Sequence, residues 1–212
     1  MWIDLPRLYP VTDARLTGLS HAEQVLRLSA GGARMIQLRE KHLEARAFFR
    51  EAEAALRVAR ERGLRLIIND RVDIALALGA DGVHLGQDDL PPEAARRILG
   101  ERAVIGFSTH NVEQARLAAS LPIDYLAIGP IFSTSSKDNP DPTVGLDGLG
   151  RVRRAVPSLP LVAIGGITPE NGQETLAAGA ESLAVIGALL SDPAQIEART
   201  RDWLATFKPQ VQ

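Results

Sequence analysis

The 212 residues carry 45% hydrophobic side chains and a formal net charge of −2, a globular composition without the cationic excess that would point to nucleic acid or an anionic membrane surface. There are no cysteines, which excludes disulfides, thiolate nucleophiles and cysteine-bound zinc. The opening run MWIDLPRLYPVTDARL has no basic patch followed by a long apolar stretch, and no run approaches the roughly 18 consecutive apolar residues of a membrane helix, so a cytoplasmic setting without a membrane partner is expected.

Along the chain, eight short β-rich runs alternate with segments of helical periodicity. The first is Leu8-Val11. The second, Met35-Leu38, runs into Gln37-Leu38-Arg39-Glu40-Lys41 and is followed by a helical stretch from Ala45 to Glu61. There Phe48, Phe49, Ala52, Ala55, Leu56 and Ala59 recur at three- and four-residue spacing. Leu66-Ile68 ends in Asn69-Asp70-Arg71, Gly82-Leu85 in Gly86-Gln87-Asp88-Asp89, and Val104-Phe107 in Ser108-Thr109-His110. Tyr125-Ile128 leads into Gly129-Pro130 and the polar, proline-containing loop from Ser133 to Gly145. Leu161-Ile164 ends in Gly165-Gly166, before a helix expected over Pro169 to Ala178 with proline at its start and Gly179 as its stop. Leu183-Ile186, the eighth run, ends in Gly187.

Most of these runs are continuously apolar, as in parallel strands covered on both faces. Eight β/α units in this length predict an α/β fold, a single (β/α)₈ TIM barrel over residues 1–212; an open doubly wound sheet is the competitor. In a barrel the C-terminal strand ends share one mouth, so polar residues scattered in sequence would converge there. Asp70 and Asp89, from neighbouring strands, could hold one magnesium ion, which takes one or two carboxylates and completes its shell with water and phosphate. Arg39, Lys41 and Lys137 suit a pyrophosphate, and the lysines stand out because only Lys41, Lys137 and Lys208 break an otherwise all-arginine positive set. Gly165-Gly166 and Ile186-Gly187, after the last two strands, would turn backbone N–H groups toward a second phosphate. Taken singly, each has a bland alternative. Asp70 could be a helix N-cap, Asp89 a turn residue or cap, His110-Asn111 a helix start and the glycines plain turns.

The motifs QLREK at 37–41, INDRVDIALALGADGVHLGQDDLP at 68–91, IGFSTHN at 105–111, GPIFSTSSK at 129–137 and AIGGI at 163–167 together resemble the thiamine-phosphate synthase family, which also contains thiazole tautomerases. The resemblance spans nearly the whole chain. It implies an enzyme, a transferase that joins 4-amino-2-methyl-5-hydroxymethylpyrimidine diphosphate to a thiazole monophosphate, giving thiamine monophosphate and pyrophosphate. On that resemblance Gln37, Arg39, Lys41 and Asn69 belong to the pyrimidine-diphosphate pocket, and Asp70 and Asp89 are the Mg²⁺ ligands. Ser108 and Lys137 hold the diphosphate and, with Arg39, assist its departure. Thr134, Ser135, Ser136, Gly166, Ile186 and Gly187 cradle the thiazole phosphate.

The implied chemistry is dissociative and needs no general base, because the thiazole nitrogen carries no proton to remove. The small-molecule substrates are the expected partners, with no nucleic acid; self-association is left open. Two departures fall at ligand loops: Val144 stands where many relatives have Gln, and Gly187 where Ser is common. The Ser133–Gly145 loop is expected to close over the filled site. The rivals are a thiazole tautomerase, with His110 as acid/base, and a non-catalytic phosphate-binding barrel. The joint presence of Lys41, Asp70 and Asp89 weighs against both.

Overall fold

The computed structural model describes residues 3–134 and 141–207. Eight parallel strands form one sheet: β1 (Leu8–Pro10), β2 (Met35–Leu38), β3 (Arg65–Asn69), β4 (Gly82–Leu85), β5 (Val104–Thr109), β6 (Tyr125–Ile128), β7 (Leu161–Ile164) and β8 (Ser182–Val185). From β2 to β8 each strand pairs with the next in sequence, and β1 pairs with β8. The sheet closes on the other side of β1 through the parallel bridge of Val11 to Gln37 and the Thr12 N–H donating to the Gln37 carbonyl at 2.9 Å. This is the (β/α)₈ barrel that the sequence predicts, and the open-sheet alternative falls away.

The principal outer helices are α1 (Ala14–Thr17), α2 (His21–Ala30), α3 (Ala45–Arg62), α4 (Val72–Leu78), α5 (Pro92–Leu99), α6 (Val112–Ala118), α7 (Gly145–Ala155), α8 (Pro169–Ala177), α9 (Gly187–Leu190) and α10 (Ile196–Thr206). Their ends carry the expected chemistry. Ser20 and Glu23 form a capping box on α2, Thr168 and Asn171 another on α8, and Pro169 opens α8 where its missing N–H loses no bond. On α3, Phe48, Ala52, Ala55, Leu56 and Ala59 are the buried residues, the stripe its spacing predicts.

Period-2 alternation sorts the strand residues into two cores. Leu8, Ile36, Leu38, Leu66 and Ile68 pack outward against the helices. Tyr9, Val11, Met35, Ile67, Tyr125, Ala127, Val162 and Ala184 fill the barrel interior. The interior is crowded: a Cβ on Gly106 would lie 2.0 Å from Tyr125 Cζ, so glycine there makes room for the tyrosine ring.

At the N-terminal end of the barrel an acidic residue just before an even strand caps the strand preceding it. Asp81 accepts from Leu66 N–H at 2.9 Å, Asp124 from Ile105 N–H at 2.8 Å and Glu181 from Leu161 N–H at 2.7 Å. Arg96 and Arg153 in turn hold Asp124 and Glu181, each at 2.8 Å. These contacts satisfy strand-end donors that would otherwise be orphaned, and they leave the opposite end of the barrel to carry chemistry.

Three strand boundaries differ from expectation in an informative way. β3 extends through Asn69 and β5 through Thr109, so polar residues that look like loop are still in ladder register. β8 ends at Val185, leaving Ile186 as the residue that caps the short helix α9. A run of apolar residues locates a strand but not its polar last residue, and in a barrel that last residue is the functional one.

Candidate active site

The C-terminal strand ends enclose a cavity of about 740 Å³. Gln37, Arg39, Lys41, Asn69, Asp70, Asp89, Ser108, Thr134, Gly166, Ile186 and Gly187, all singled out from sequence, line it together. Ser135, Ser136 and Lys137 lie outside the described residues, as does much of the loop expected to close; the flanking Thr134 and Asp141 both line the cavity.

Asp70 is not the helix N-cap that its position after a strand would suggest; Arg71 takes that place on α4. Instead Asp70 has φ +64°, and among the described residues it is the one non-glycine with positive φ. Its N–H donates to the His84 carbonyl of the adjacent strand at 2.8 Å. A left-handed backbone at a residue with a side chain is held at some energetic cost, and such strain clusters at functional sites. Here it turns the carboxyl into the cavity, where it ion-pairs with the Lys41 ammonium and faces the Asp89 carboxyl, which also lines the cavity. Burial pushes the Asp70 carboxyl up to about 6, with the Asp89 carboxyl adding to the rise and Lys41 opposing it. Asp89 is also the turn residue of the bland reading, since its Oδ2 accepts from Gly86 N–H at 2.7 Å. The turn and the site coexist: the bond fixes the carboxyl beside Asp70.

Beneath this rim lies a buried polar chain that the sequence reading did not single out. Ser108 Oγ and His84 Nε2 are 2.8 Å apart, His84 Nδ1 and Tyr125 Oη 2.9 Å, and Tyr125 Oη and Tyr9 Oη 3.0 Å. Gln37 donates from Nε2 to Tyr9 Oη at 3.4 Å. Burial pushes the His84 imidazole down to about 4, so it is neutral near pH 7, and burial raises both tyrosines. This floor fixes the orientation of Gln37 and Ser108. Its detectable signal was phase, because His84 lies two residues before Gly86 on the inward side of β4.

Asn69 is buried, lines the cavity, and its Nδ2 has no hydrogen-bond partner. A buried donor without an acceptor costs about 1–3 kcal/mol, so a ligand acceptor is its natural partner. The Arg39 guanidinium makes no hydrogen bond or ion pair to a described residue.

Across the cavity, Gly165 and Gly166 have φ of 97° and 64°. A Cβ on Gly166 would meet the Ser133 carbonyl oxygen at 2.5 Å and Phe132 Cβ at 2.7 Å, so this turn needs glycine for both conformation and space. Gly187 opens α9, whose first N–H groups have no intrahelical acceptor. No atom lies within 4 Å of where a Gly187 Cβ would point, so a small side chain there would fit without displacing the backbone.

His110 is tethered at 2.6 Å from Nδ1 to the Gly129 carbonyl and lies 3.5 Å from Asp141. The start of α6 belongs to Asn111, whose side chain accepts from Gln114 N–H at 2.9 Å. Among the described residues no three His, Cys, Asp or Glu side chains converge as a metal site, and no helix is long and apolar enough to cross a membrane.

Residues 8–189 match the family model described as thiamine monophosphate synthase. The thiamine-phosphate synthase of Koribacter versatilis is 49% identical over 200 residues, covering 91% of this chain and 93% of that protein. That of Chloroflexus aurantiacus is 46% identical, with coverages of 87% and 85%. Among solved structures, a thiamine phosphate pyrophosphorylase from Pyrococcus furiosus superposes with a TM-score of 0.84 at 34% identity, covering 94% of each chain.

Proposed function

The chain belongs to the thiamine monophosphate synthase family, whose transferase reaction joins a pyrimidine methyl diphosphate to a thiazole monophosphate with release of pyrophosphate, and we propose how its residues divide that work. The observation that carries the reading is the separation of two anion-suited walls in one cavity. Lys41, Asp70 and Asp89 cluster on one side, and the glycine turn at Gly165–Gly166 with the start of α9 forms the other.

The donor set on the first wall fits magnesium. Asp70 and Asp89 line the same wall and interact strongly enough for Asp89 to raise the Asp70 carboxyl, so one hard cation between them would relieve that repulsion. With two protein ligands, the remaining coordination falls to water and substrate phosphate oxygens. When bound, the ion neutralises charge that builds on the departing diphosphate.

The protein's own groups do the rest. Arg39 and Lys41 hold the diphosphate. Lys137 and Ser108 stabilise the oxygens as the methylene C–O bond breaks. Asn69 and Gln37 hold the pyrimidine ring, and Asn69 Nδ2 gains the acceptor it lacks. The Gly166 and Gly187 backbone, with Thr134, Ser135, Ser136 and Ile186, orients the thiazole phosphate so that the ring nitrogen lone pair meets the methylene carbon and forms the new C–N bond. The pair of electrons in the broken C–O bond leaves with pyrophosphate, so no proton transfer is needed. Two phosphorylated substrates favour a cytoplasmic setting, since neither crosses a membrane unaided.

Pyrophosphate release measured with purified protein tests this reading. Release that requires both substrates and Mg²⁺ supports it. Thiazole isomerisation without pyrophosphate would replace it with tautomerase action, and binding without turnover would reduce the chain to a phosphate-ligand barrel.

A further inference from the structure

Behind the diphosphate wall lies a second buried polar chain whose three side chains, Thr12, His21 and Glu40, are not part of the cavity lining. Thr12 follows β1, His21 opens α2, and Glu40 sits between Arg39 and Lys41 after β2. Thr12 and His21 are both 0% exposed, and the Glu40 side chain is 6% exposed. The Arg39 N–H donates to Thr12 Oγ1 at 3.2 Å, Thr12 Oγ1 and His21 Nδ1 are 2.8 Å apart, and His21 Nε2 and Glu40 Oε2 are 3.3 Å apart. One assignment gives every donor an acceptor. Arg39 N–H donates to the threonine oxygen, the threonine O–H to Nδ1, and the imidazole Nε2–H to the carboxylate.

The other Glu40 oxygen, Oε1, accepts from His42 N–H at 2.6 Å and from Leu43 N–H at 3.2 Å. Burial raises the Glu40 carboxyl, but the hydrogen bonds from His42, His21 and Leu43 together outweigh it and hold it below the ordinary carboxylate range. The carboxylate is therefore ionised and fully occupied on its own side of the chain.

The placement matters because of what flanks it. Arg39 and Lys41, two residues apart, both line the cavity, while Glu40 between them turns the opposite way. A carboxylate one residue from two cations would otherwise be their nearest counter-ion. Tied to His21 and the loop N–H groups, Glu40 leaves the Arg39 guanidinium unclaimed and pins the backbone from behind at two consecutive residues.

We propose that Thr12, His21 and Glu40 are positioning residues that hold the Arg39–Lys41 segment, and so the diphosphate subsite, in its binding geometry. This rests on the assignment of Arg39 and Lys41 to the diphosphate.

The test is calorimetric binding of inorganic pyrophosphate with Mg²⁺ to the full chain, with KM measured for each substrate. Thr12→Val keeps the shape but removes both hydrogen bonds, and should weaken pyrophosphate binding about tenfold, the loss of one or two such bonds. KM for the pyrimidine diphosphate should rise with it while KM for the thiazole phosphate stays unchanged, and Thr12→Ser should restore binding. Glu40→Gln, which puts an amide beside His21 at the rim, should act in the same direction if Thr12→Val does not fold. In an Arg39→Ala/Lys41→Ala background the Thr12→Val effect should vanish.

Equal weakening of both substrates, or an undiminished Thr12→Val effect in that background, would mean a merely structural role and overturn the proposal. If Arg39→Ala/Lys41→Ala alone leaves pyrophosphate affinity intact, the diphosphate assignment fails first and the positioning role goes with it. If that variant weakens binding but Thr12→Val and Glu40→Gln do not, the assignment stands and the positioning role alone is refuted.

Discussion

Gly166→Ala separates the two walls of the site cleanly. The residue sits at φ +64°, where a Cβ adds about 1–2 kcal/mol of backbone strain. The new Cβ would also stand 2.5 Å from the Ser133 carbonyl oxygen, a backbone atom that cannot swing aside as a side-chain tip would. The turn must open, and Gly166 takes with it the carbonyl that accepts from Asn171 Nδ2 at 3.0 Å. If the turn donates one or two N–H groups to the thiazole phosphate, each charge-assisted bond contributes about 1.5–3 kcal/mol. KM for the thiazole phosphate should then rise by roughly tenfold to a hundredfold or more. KM for the pyrimidine diphosphate, which the proposed reading seats across the cavity at Arg39 and Lys41, should change less than about twofold. Steady-state pyrophosphate release with each substrate varied in turn reads both numbers. A rise confined to the pyrimidine diphosphate would refute the assignment of the walls. An equal rise in both would show that the turn supports the whole mouth rather than one anion.

Asp70→Ala should abolish Mg²⁺-dependent pyrophosphate release with the circular dichroism spectrum intact, and undiminished wild-type turnover in excess EDTA would contradict the metal reading. Lys137→Ala should lower kcat and kcat/KM together by on the order of 10²-fold or more, as for removal of an oxyanion donor; a rise in KM alone would remove it from the leaving-group role. The His84 imidazole, pushed down to about 4 by burial, binds fewer protons folded than unfolded, so its contribution to stability is full above about pH 6.5 and falls by about 1.4 kcal/mol per pH unit as pH drops toward 4. Urea unfolding midpoints between pH 7 and 4 should therefore decline more steeply for wild type than for His84→Gln. Asp124→Ala orphans the buried Ile105 N–H and one arm of Arg96, and should cost about 2–4 kcal/mol in urea unfolding, with Asp124→Asn restoring much of it.

The barrel was legible because eight β/α units of similar length leave few architectures, and the mouth was legible because barrel geometry gathers strand ends whatever lies between them. That is why Asp70 and Asp89, separated by a whole helix in sequence, could be assigned to one site from spacing alone. The local rule gave a poorer account of Asp70. An aspartate after a strand reads as a helix cap, and tertiary context overrode that preference: its N–H is used by the neighbouring strand, and the cap position falls to Arg71.

What the sequence concealed are the residues that support others. His84, Tyr9 and Tyr125 sit in short apolar runs where a single inward polar group looks like an ordinary core residue. They lie on three different strands, so no local spacing links them. Thr12, His21 and Glu40 are hidden more thoroughly, being scattered over three turns of chain, and His21 reads as the first residue of an amphipathic helix. Residues that line the cavity cluster at strand ends, a place periodicity can find. Residues that orient them lie one layer back, where only the closed barrel brings β1, α2 and the end of β2 together. The side chains that hold Arg39 in place are therefore specified by the fold as a whole, and their effect on pyrophosphate affinity measures how far that outer layer takes part in binding.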